Sequence, residues 1–373
     1  MNRPLVPENI RSLSPYPPGK PLKELERELG IGTAIKLASN ENAFGPSPLA
    51  VAAMAGALAE SHRYPESTVF YLRQRLARSL GVAPAQLVFG NGSNEIIELL
   101  IRTFTGPALQ HEPARGVLTA ATTFVVYQLV SQAHGSPFKS VAMRPDLSLD
   151  LDGIAAAVDD ETALIFLCNP NNPTGSTFDK AALESFLDRI GPGPIVAIDE
   201  AYYEFLAPEN RLDAIALIEG RPRTIVLRTF SKAYGLAGVR VGYGVSDPEL
   251  ISYLDRVRQP FNVSLIGQVG AEAALEDAAY LERVVADTRA GLAEIASRLA
   301  LLGCQPYSTE ANFVLFDCRR DAAPLYEGLL RQGVIVRPMK GYGLPTFLRV
   351  NVGTADENAR FLSTFEAVYR GVV

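Results

Sequence analysis

The chain has 373 residues, of which 47% are hydrophobic and 20% are charged, and its formal net charge is −6. This length and composition predict a globular protein of about two or three domains and exclude wholesale disorder. The acidic balance argues against nucleic acid or an anionic membrane as the main partner, but it leaves room for a local pocket that binds a small anion.

The first part of the chain predicts an extended arm rather than a domain. Proline and glycine dominate residues 15–21, and one short helix is predicted over 22–29. Ser47 and Pro48 then predict the start of a helix, because serine is a good N-cap and proline is favoured in the first turn.

Apolar segments of strand length alternate with helical patterns through the middle of the chain. The predicted strands are 87–89, 163–168, 195–198, 224–227 and 239–245. Helical patterns separate them, including one from 183 to 190 and one that begins after Asp247 and Pro248. Buried strands separated by helices predict an α/β fold with a mostly parallel central sheet covered by helices.

After about residue 260 the pattern changes. A long helix near 280–302 precedes three strand candidates, at 312–316, 334–337 and 347–352. We interpret this part as a smaller C-terminal α+β domain. The predicted division is an arm over 1–40, a large domain over 41–260 and a small domain over 261–373.

The turn after the predicted strand 87–89 reads Gly90-Asn91-Gly92-Ser93-Asn94-Glu95 and leads into a helix. Free backbone amides at a helix N-terminus bind anions, and glycines let an anion approach closely. A tight turn with an ordinary helix cap gives the same residues, so this motif alone is a weak indication of a phosphate site.

Polar residues also follow two of the later strands. Residues 169–175 contain two Asn-Pro steps and form at least a strong turn, and an asparagine buried there can hold a ligand oxygen. Asp199 follows four apolar residues and is either an exposed strand terminus or a buried acid. A buried carboxylate requires a cationic partner, and a protonated pyridine nitrogen is one such partner.

Lys232 follows another predicted strand, within the segment Thr229-Phe230-Ser231-Lys232-Ala233-Tyr234-Gly235. A lysine in this position is usually a solvated surface residue, but its apolar neighbours favour burial here. A desolvated lysine has a lowered pKa, so it can act first as a Schiff-base nucleophile and then as a general base.

Together these features predict one cofactor, pyridoxal 5'-phosphate (PLP). PLP requires a lysine for its aldehyde, an acid for its pyridine nitrogen and an anion cradle for its phosphate. The chain offers Lys232, Asp199 and the turn around Gly92 at strand ends of one predicted domain. Ligands of α/β sheets bind at that edge.

The sequence resembles the fold-type I PLP-dependent aminotransferases and, among them, the histidinol-phosphate aminotransferase family. The resemblance runs from Leu37-Ala38-Ser39-Asn40-Glu41-Asn42 to residues 349–353, and its most specific segments are 169–175, 199–202, 230–244 and 336–345. It implies transamination between L-histidinol phosphate and 2-oxoglutarate, giving imidazole acetol phosphate and L-glutamate in histidine biosynthesis.

The resemblance also implies a role for each matching residue. Lys232 would bond covalently to PLP, and Asp199 would keep the pyridine nitrogen protonated. Asn172 and Tyr202 would hydrogen-bond the phenolic oxygen of the cofactor, and Phe124 would stack on its ring. The implied phosphate-binding residues are Gly92, Ser93, Asn94, Thr229, Ser231 and Arg240.

Substrate contacts are implied for Arg337 and Arg349, for Asn172, and for Tyr16 of the arm, which would close over the substrate. A guanidinium group clamps a carboxylate or a phosphate in bidentate fashion. For an isolated arginine, however, a surface or structural ion pair is the more common role.

The resemblance further implies a homodimer with shared active sites. Tyr64, in His62-Arg63-Tyr64-Pro65, resembles the tyrosine that reaches the cofactor phosphate from the neighbouring subunit. The arm over residues 1–40 would pack against the small domain and the partner subunit.

Three alternatives remain open. An aromatic amino-acid aminotransferase has the same chemistry with a different side-chain pocket, and a PLP-dependent decarboxylase of an amino-acid phosphate shares the scaffold. A non-enzymatic PLP-binding protein is the third, although Lys232, Asp199 and Arg240 argue against it. A nicotinamide dehydrogenase is disfavoured, because no predicted strand is followed by a G-x-G-x-x-G motif.

Cysteine and histidine usage predicts neither disulfides nor a metal site. Cys168, Cys304 and Cys318 are odd in number and widely spaced, and the three histidines are scattered. The first residues lack an apolar signal core, and no stretch of the sequence is long enough to span a bilayer. We therefore expect a cytoplasmic location without a membrane partner.

Overall fold

The computed structural model describes residues 4–15, 19–31, 33–107 and 113–372. Within these ranges the strands form a seven-stranded sheet, a four-stranded sheet and one pair of short parallel strands. In chain order the strands are β1 (Ile35–Lys36), β2 (Leu87–Gly90), β3 (Gly116–Ala120), β4 (Phe138–Val141), β5 (Thr162–Cys168), β6 (Ile195–Asp199), β7 (Thr224–Thr229), β8 (Gly242–Val245), β9 (Gln305–Pro306), β10 (Phe313–Asp317), β11 (Val334–Ile335), β12 (Arg337–Pro338) and β13 (Phe347–Asn351).

Helices lie between most of these strands. The α-helices are α1 (Glu8–Arg11), α2 (Leu22–Leu29), α3 (Pro48–Ala57), α4 (Phe70–Leu80), α5 (Ser93–Phe104), α6 (Val126–His134), α7 (Leu151–Ala156), α8 (Lys180–Ile190), α9 (Pro248–Val257), α10 (Leu265–Ala274), α11 (Ala278–Leu301), α12 (Ala322–Arg331) and α13 (Ala355–Arg370). None of the described helices combines the length and the apolar character needed to cross a lipid bilayer.

The seven-stranded sheet has the order β2-β8-β7-β6-β5-β3-β4. Strand β8 runs antiparallel to both of its neighbours, and the strands from β7 to β4 pair in parallel. The predicted α/β fold with a mostly parallel sheet is therefore confirmed. Because β5, β6 and β7 run in the same direction, the residues that follow them all lie at one edge of the sheet.

Helices cover both faces of this sheet, which explains the continuous apolar runs of its central strands. Leu164 and Phe166 of β5 point into one hydrophobic cluster, whereas Ile165 and Leu167 point into the other. Successive residues of a strand face opposite sides, so a strand buried on both faces needs an apolar residue at every position.

The C-terminal part forms a second, smaller core. Its four-stranded antiparallel sheet has the order β12-β13-β10-β9 and packs against α11, α12 and α13. Phe316 of β10 packs edge-on against Phe365 of α13, with 5.4 Å between ring centres, in a buried cluster that also contains Val314 and Phe361. Strand β1, from the beginning of the chain, pairs in parallel with β11 of this region.

Several predicted elements differ from the structure in instructive ways. The predicted strand 239–245 starts only at Gly242, because Arg240 has a left-handed backbone conformation with φ of 61°. The predicted strand 334–337 is split into β11 and β12, which belong to different sheets. Strand β4 was not predicted, because it is a partly exposed edge strand without a continuous apolar run.

Candidate active site

A cavity of about 200 Å³ opens at the carboxyl ends of β5, β6 and β7. The strand register aligns these ends, since Cys168 pairs with Asp199 and Asp199 pairs with Leu227. The predicted site residues that line this cavity are Ser93, Asn94, Phe124, Asn172, Asp199, Tyr202, Thr229, Ser231, Lys232, Arg240, Arg337 and Arg349.

A larger cavity, of about 590 Å³, opens at the opposite edge of the sheet, near the starts of β5 and β6. Pro113 and Arg115 form part of its wall. We place the candidate active site in the smaller cavity, because that cavity contains the lysine and the buried acid.

Lys232 lies in the turn after β7. Its Nζ donates hydrogen bonds to the carbonyl oxygens of Ser39 at 3.3 Å and Asn40 at 3.2 Å. Burial, helped by the positive charges of Arg349 and Arg240, lowers the pKa of Lys232 to about 8. A large fraction of this amine is therefore neutral near pH 8, and a neutral amine is a nucleophile.

Asp199 is the last residue of β6, and its side chain is buried. Burial raises its pKa, while the hydroxyl of Tyr127 donates a 2.6 Å hydrogen bond to Oδ2 and opposes that shift. The backbone N–H of Ala201 donates to Oδ1 at 3.2 Å. Asp199 forms no ion pair with any residue that the structure describes, so it presents a buried carboxylate suited to a cationic ligand.

Tyr202 lies beside Lys232, with Nζ of the lysine 5.7 Å from the centre of the tyrosine ring. Nδ2 of Asn40 donates a 2.8 Å hydrogen bond to the hydroxyl oxygen. Burial raises the pKa of Tyr202, so its hydroxyl stays protonated and can donate a hydrogen bond into the cavity.

Three asparagines follow β5, and they have different environments. Asn169 and Asn171 are fully buried, and Asn171 accepts a 2.7 Å hydrogen bond from the hydroxyl of Thr123, which braces the turn. Asn172 instead lines the cavity, where its side-chain oxygen accepts a hydrogen bond from the guanidinium of Arg349. Asn172 is therefore the asparagine of this turn that can reach a ligand.

The turn before α5 lets a ligand come close to the N-terminus of that helix. Gly92 is the N-cap residue with φ of 74°, and a Cβ atom placed on it would collide with the guanidinium of Arg240. Arg240 donates to the Ser231 hydroxyl at 3.3 Å, and the Ser231 N–H donates to the Thr229 hydroxyl at 3.1 Å. Backbone amides, hydroxyls and one guanidinium thus surround a space suited to a small anion.

Arg337 and Arg349 are direct partners across the antiparallel pair β12–β13, and both line the cavity. Like charges opposite each other on a ladder repel, so an anion bound between these two side chains is stabilised. Tyr342, in the turn that follows β12, lines the same wall.

Three further predicted site residues are aromatic, namely Phe124, Tyr64 and Tyr16. Phe124 lines the cavity and packs edge-on against Tyr127, with 5.7 Å between the ring centres. Tyr64 is 83% exposed, stacks on Phe261 and does not line the cavity of its own chain. Tyr16 lies outside the described residues.

Sequence analysis missed Tyr127 and Asn40, which hold the side chains of Asp199 and Tyr202. Tyr127 lies among apolar residues of α6, a pattern typical of an ordinary core position. A buried tyrosine hydroxyl needs a hydrogen-bond partner, but its partner here is 72 positions away in the chain. Nothing local in the sequence identifies that partner.

These residues fit the PLP that the sequence predicts. The carboxylate of Asp199 suits a cationic pyridine nitrogen, and the cradle at Gly92, which a Cβ atom would fill, suits a phosphate. The amine of Lys232, with its lowered pKa, suits an aldehyde.

Comparisons with known proteins agree with this geometry. Residues 33–365 match the family model described as aminotransferase class I and II. The chain is 47% identical over 365 residues to the histidinol-phosphate aminotransferase of Anaeromyxobacter sp. (strain Fw109-5), which covers 96% of this chain and 98% of that relative. It is 46% identical over 367 residues to the histidinol-phosphate aminotransferase of Methylobacillus flagellatus, with 98% and 97% covered.

A solved structure gives the same result. The histidinol-phosphate aminotransferase from Sinorhizobium meliloti, determined in complex with pyridoxal-5'-phosphate, matches with a TM-score of 0.88 at 29% identity, over 99% of this chain and 98% of that one. The predicted family resemblance and the predicted fold-type I architecture are therefore confirmed. This chain belongs to the class I and II aminotransferase family.

Proposed function

We propose that this chain transfers the amino group of L-histidinol phosphate to 2-oxoglutarate with PLP as its cofactor, giving imidazole acetol phosphate and L-glutamate. The observation that carries the proposal is that Lys232 and Asp199 share one cavity with the opposed pair Arg337 and Arg349. The first pair suits the cofactor, and the second suits a substrate that ends in a phosphate. The relatives at 46–47% identity carry the name of this activity.

The cofactor phosphate would be held by the cradle before α5. The amides and side chains of Gly92, Ser93 and Asn94 supply donors at the helix N-terminus. Arg240 supplies the positive charge, with the hydroxyls of Ser231 and Thr229 beside it.

The cofactor ring would lie between Phe124 and the polar residues at the strand ends. When bound, PLP withdraws electrons from the substrate carbon and so allows its proton to leave. Asp199 would hold the proton on the pyridine nitrogen, and Tyr127 keeps that carboxylate in place. Asn172 and Tyr202 would donate hydrogen bonds to the phenolic oxygen.

Lys232 has two tasks in this proposal. It would hold the cofactor through its side-chain amine, and in the presence of substrate that amine would be free to act as a base. Because burial lowers its pKa to about 8 in the empty site, this amine is suited to take the proton from the substrate carbon. The return half-reaction, with 2-oxoglutarate, uses the same groups in reverse.

Arg337 and Arg349 would bind the anionic end of each substrate. Both substrates of the proposed reaction carry one, a phosphate in L-histidinol phosphate and a carboxylate in 2-oxoglutarate. A guanidinium group accommodates either anion with two parallel hydrogen bonds. The hydrogen bond from Arg349 to Asn172 links this subsite to the cofactor subsite.

We further propose a homodimer in which Tyr64 reaches the phosphate of the partner's site. Tyr64, Phe70, Tyr71 and Phe261 are exposed, and a concentration of exposed aromatic residues is typical of a surface that a partner covers. The arm over 1–40, the large domain over 41–260 and the small domain over 261–373 remain our proposed division, and a cytoplasmic location remains a prediction.

The test is the visible absorbance of the PLP-loaded protein before and after adding L-histidinol phosphate without any oxo acid. We expect a band that depends on Lys232, that bleaches with this substrate, and that returns on adding 2-oxoglutarate as L-glutamate forms. Arg337→Gln should raise KM for L-histidinol phosphate by about 10- to 100-fold, because one charged hydrogen-bonding partner is lost. The Lys232→Ala variant is the matched control and should show no such band.

Other outcomes identify the alternatives. A band that responds only to phenylalanine or tyrosine indicates an aromatic amino-acid aminotransferase. Carbon dioxide release that needs no oxo acid indicates a decarboxylase, and retained cofactor without turnover indicates a binding protein. Each of these results contradicts the proposed substrate or reaction.

A further inference from the structure

We propose that Cys304 and Cys318, which lie opposite each other in the small sheet, are an oxidisable thiol pair that a peroxide converts to an intrachain disulfide. The two residues are 14 positions apart in the sequence, which gives no indication of a pairing. Both are free and buried in the structure, and both belong to the small hydrophobic core.

The strand register brings the two residues together. Strands β9 and β10 are antiparallel, with Pro306 opposite Phe316 and Gln305 opposite Asp317. Continued by one position, the same register places Cys304 opposite Cys318. The strand order of the sheet therefore makes direct cross-strand neighbours of two residues that are distant along the chain.

The cross-strand geometry of the Cys304–Cys318 pair also suits a disulfide. The N–H of Tyr307 donates to the carbonyl of Leu315 at 2.9 Å, so that pair is hydrogen-bonded. Antiparallel pairs alternate, so the third pair along, Cys304 with Cys318, is of the non-hydrogen-bonded type, whose Cα atoms are about 4.5 Å apart. Disulfides span Cα separations of about 4.4–6.8 Å, so little backbone movement is needed.

The two thiols are not equivalent. A hydrogen bond from Cys318 lowers the pKa of Cys304, and the nearby Tyr369 hydroxyl and Arg320 guanidinium act in the same direction. The same contact, together with burial, raises the pKa of Cys318. Cys304 also keeps 6% exposure whereas Cys318 has none, so Cys304 is the thiol that meets the oxidant.

The chemistry balances with one molecule of hydrogen peroxide. The Cys304 thiolate attacks one peroxide oxygen, the O–O bond breaks, and the departing hydroxide takes a proton to become water. The Cys318 sulfur then attacks the sulfenic sulfur of Cys304, forming the S–S bond and releasing a second water with the Cys318 proton. Two thiols lose two electrons in total, and the peroxide gains them.

The bond would tie the end of α11 to the end of β10, next to the strand that carries Arg349. A disulfide that closes this loop restricts the unfolded chain and therefore stabilises the small domain. Cys168, the third cysteine, lies at the end of β5, and burial raises its pKa. It is therefore expected to stay reduced and serves as an internal control.

The experiment treats the full-length, PLP-loaded protein with a small excess of hydrogen peroxide and then counts free thiols in denaturant. We expect the count to fall from three to one, a linked Cys304–Cys318 peptide in the mass spectrum, and a rise of several degrees in Tm that dithiothreitol reverses. In Cys318→Ser, Cys304 should accumulate as a sulfenic acid that dimedone traps, with no rise in Tm.

Three results would overturn the proposal. One is a thiol count that stays at three after treatment with peroxide and also after treatment with diamide. Another is a linked peptide that involves Cys168 or a second chain. The last is a Tm rise of equal size in Cys304→Ser, because that variant cannot form the bond.

Discussion

Asp199 and Glu200 are adjacent in the chain and both are buried, yet they lie on opposite faces of the large sheet and have different partners. Glu200 forms an ion pair with Arg228, at 2.8 Å between Oε2 and Nη2. The Arg228 guanidinium in turn stacks on Tyr203, 3.4 Å from the ring centre. On the other face, Asp199 receives only neutral donors from the described part of the chain, chiefly the hydroxyl of Tyr127.

The difference in partners distinguishes Glu200, which is paired within the fold, from Asp199, which is suited to a ligand. A buried charge must be compensated, and the protein compensates Glu200 with its own arginine. For Asp199 the described residues supply an orienting hydrogen bond but no ion-pair partner, and we propose that the pyridine nitrogen of the cofactor is the cation. Two neighbouring acids in one motif thus have different partners, because successive side chains of a strand point to opposite faces.

The largest effect should follow from Asp199→Asn. We expect kcat to fall by about 10³-fold or more, because the electrostatic support of the pyridine nitrogen is lost. The Tm of the cofactor-free protein should stay the same or rise, because a buried carboxylate with a raised pKa destabilises the empty fold near neutral pH. Steady-state kinetics and thermal denaturation test both parts, and near-normal turnover would contradict the role of Asp199.

Glu200→Gln should show the opposite pattern. Removing the ion-pair partner leaves Arg228 with only the carboxyl of Glu204 to offset its charge, so the free energy of unfolding should fall, by at most about 3–5 kcal/mol. For the correctly folded enzyme at low temperature, we expect kcat to change only a few-fold. Urea denaturation measures the loss.

A matched double variant controls for this effect. Glu200→Gln with Arg228→Met removes both charges, so most of the lost stability should return. If the single variant is as stable as the wild type, the comparison between the two acids fails.

A smaller effect is expected for Tyr127→Phe. The change removes one hydrogen bond to the Asp199 carboxylate and leaves the ring stacking on Phe166 in place, with 4.3 Å between ring centres. We expect about a tenfold decrease in kcat, as for the loss of one hydrogen bond to a charged group. The KM for L-histidinol phosphate should stay unchanged, so a change confined to KM would place the hydroxyl in substrate binding instead.

The smallest effect is a shift in the pH dependence of PLP attachment to the cofactor-free protein. The attachment rate should rise with pH through a midpoint at about 8 and level off above it, because Lys232 reacts as the neutral amine. The negative charge of Asp199 raises the pKa of Lys232, so Asp199→Asn should move the midpoint lower. Glu200→Gln should leave it in place. Stopped-flow absorbance from pH 6 to 10 measures the midpoint, and a value near the ordinary lysine pKa of about 10.4 would contradict the prediction.

The sequence predicted the parts of the fold and site that depend on local patterns. Continuous apolar runs gave the positions of β5, β6 and β7, and the polar residues after them, including Asp199 and Lys232, line one cavity as expected. Parallel strands in register bring such residues together regardless of the length and conformation of the segments that connect them.

Features that depend on distant contacts were not predictable. Asn40 is 162 positions from Tyr202, and Cys304 meets Cys318 only through the order of strands in the small sheet. The start of β8 depends on the left-handed conformation of Arg240, which no residue preference indicates, since arginine rarely adopts it.

The short segment between β1 and Asn40 connects two parts of the molecule that have different tasks. The carbonyl of Leu37 accepts a hydrogen bond from Asn351, and the carbonyl of Ala38 accepts one from Arg349. The next two carbonyls, of Ser39 and Asn40, are those to which Lys232 donates. Strand β13 and the Lys232 amine are therefore hydrogen-bonded to the same four residues of backbone. We therefore expect that an anion that moves Arg349 also alters the surroundings of the Lys232 amine, because the two side chains bind neighbouring peptide units.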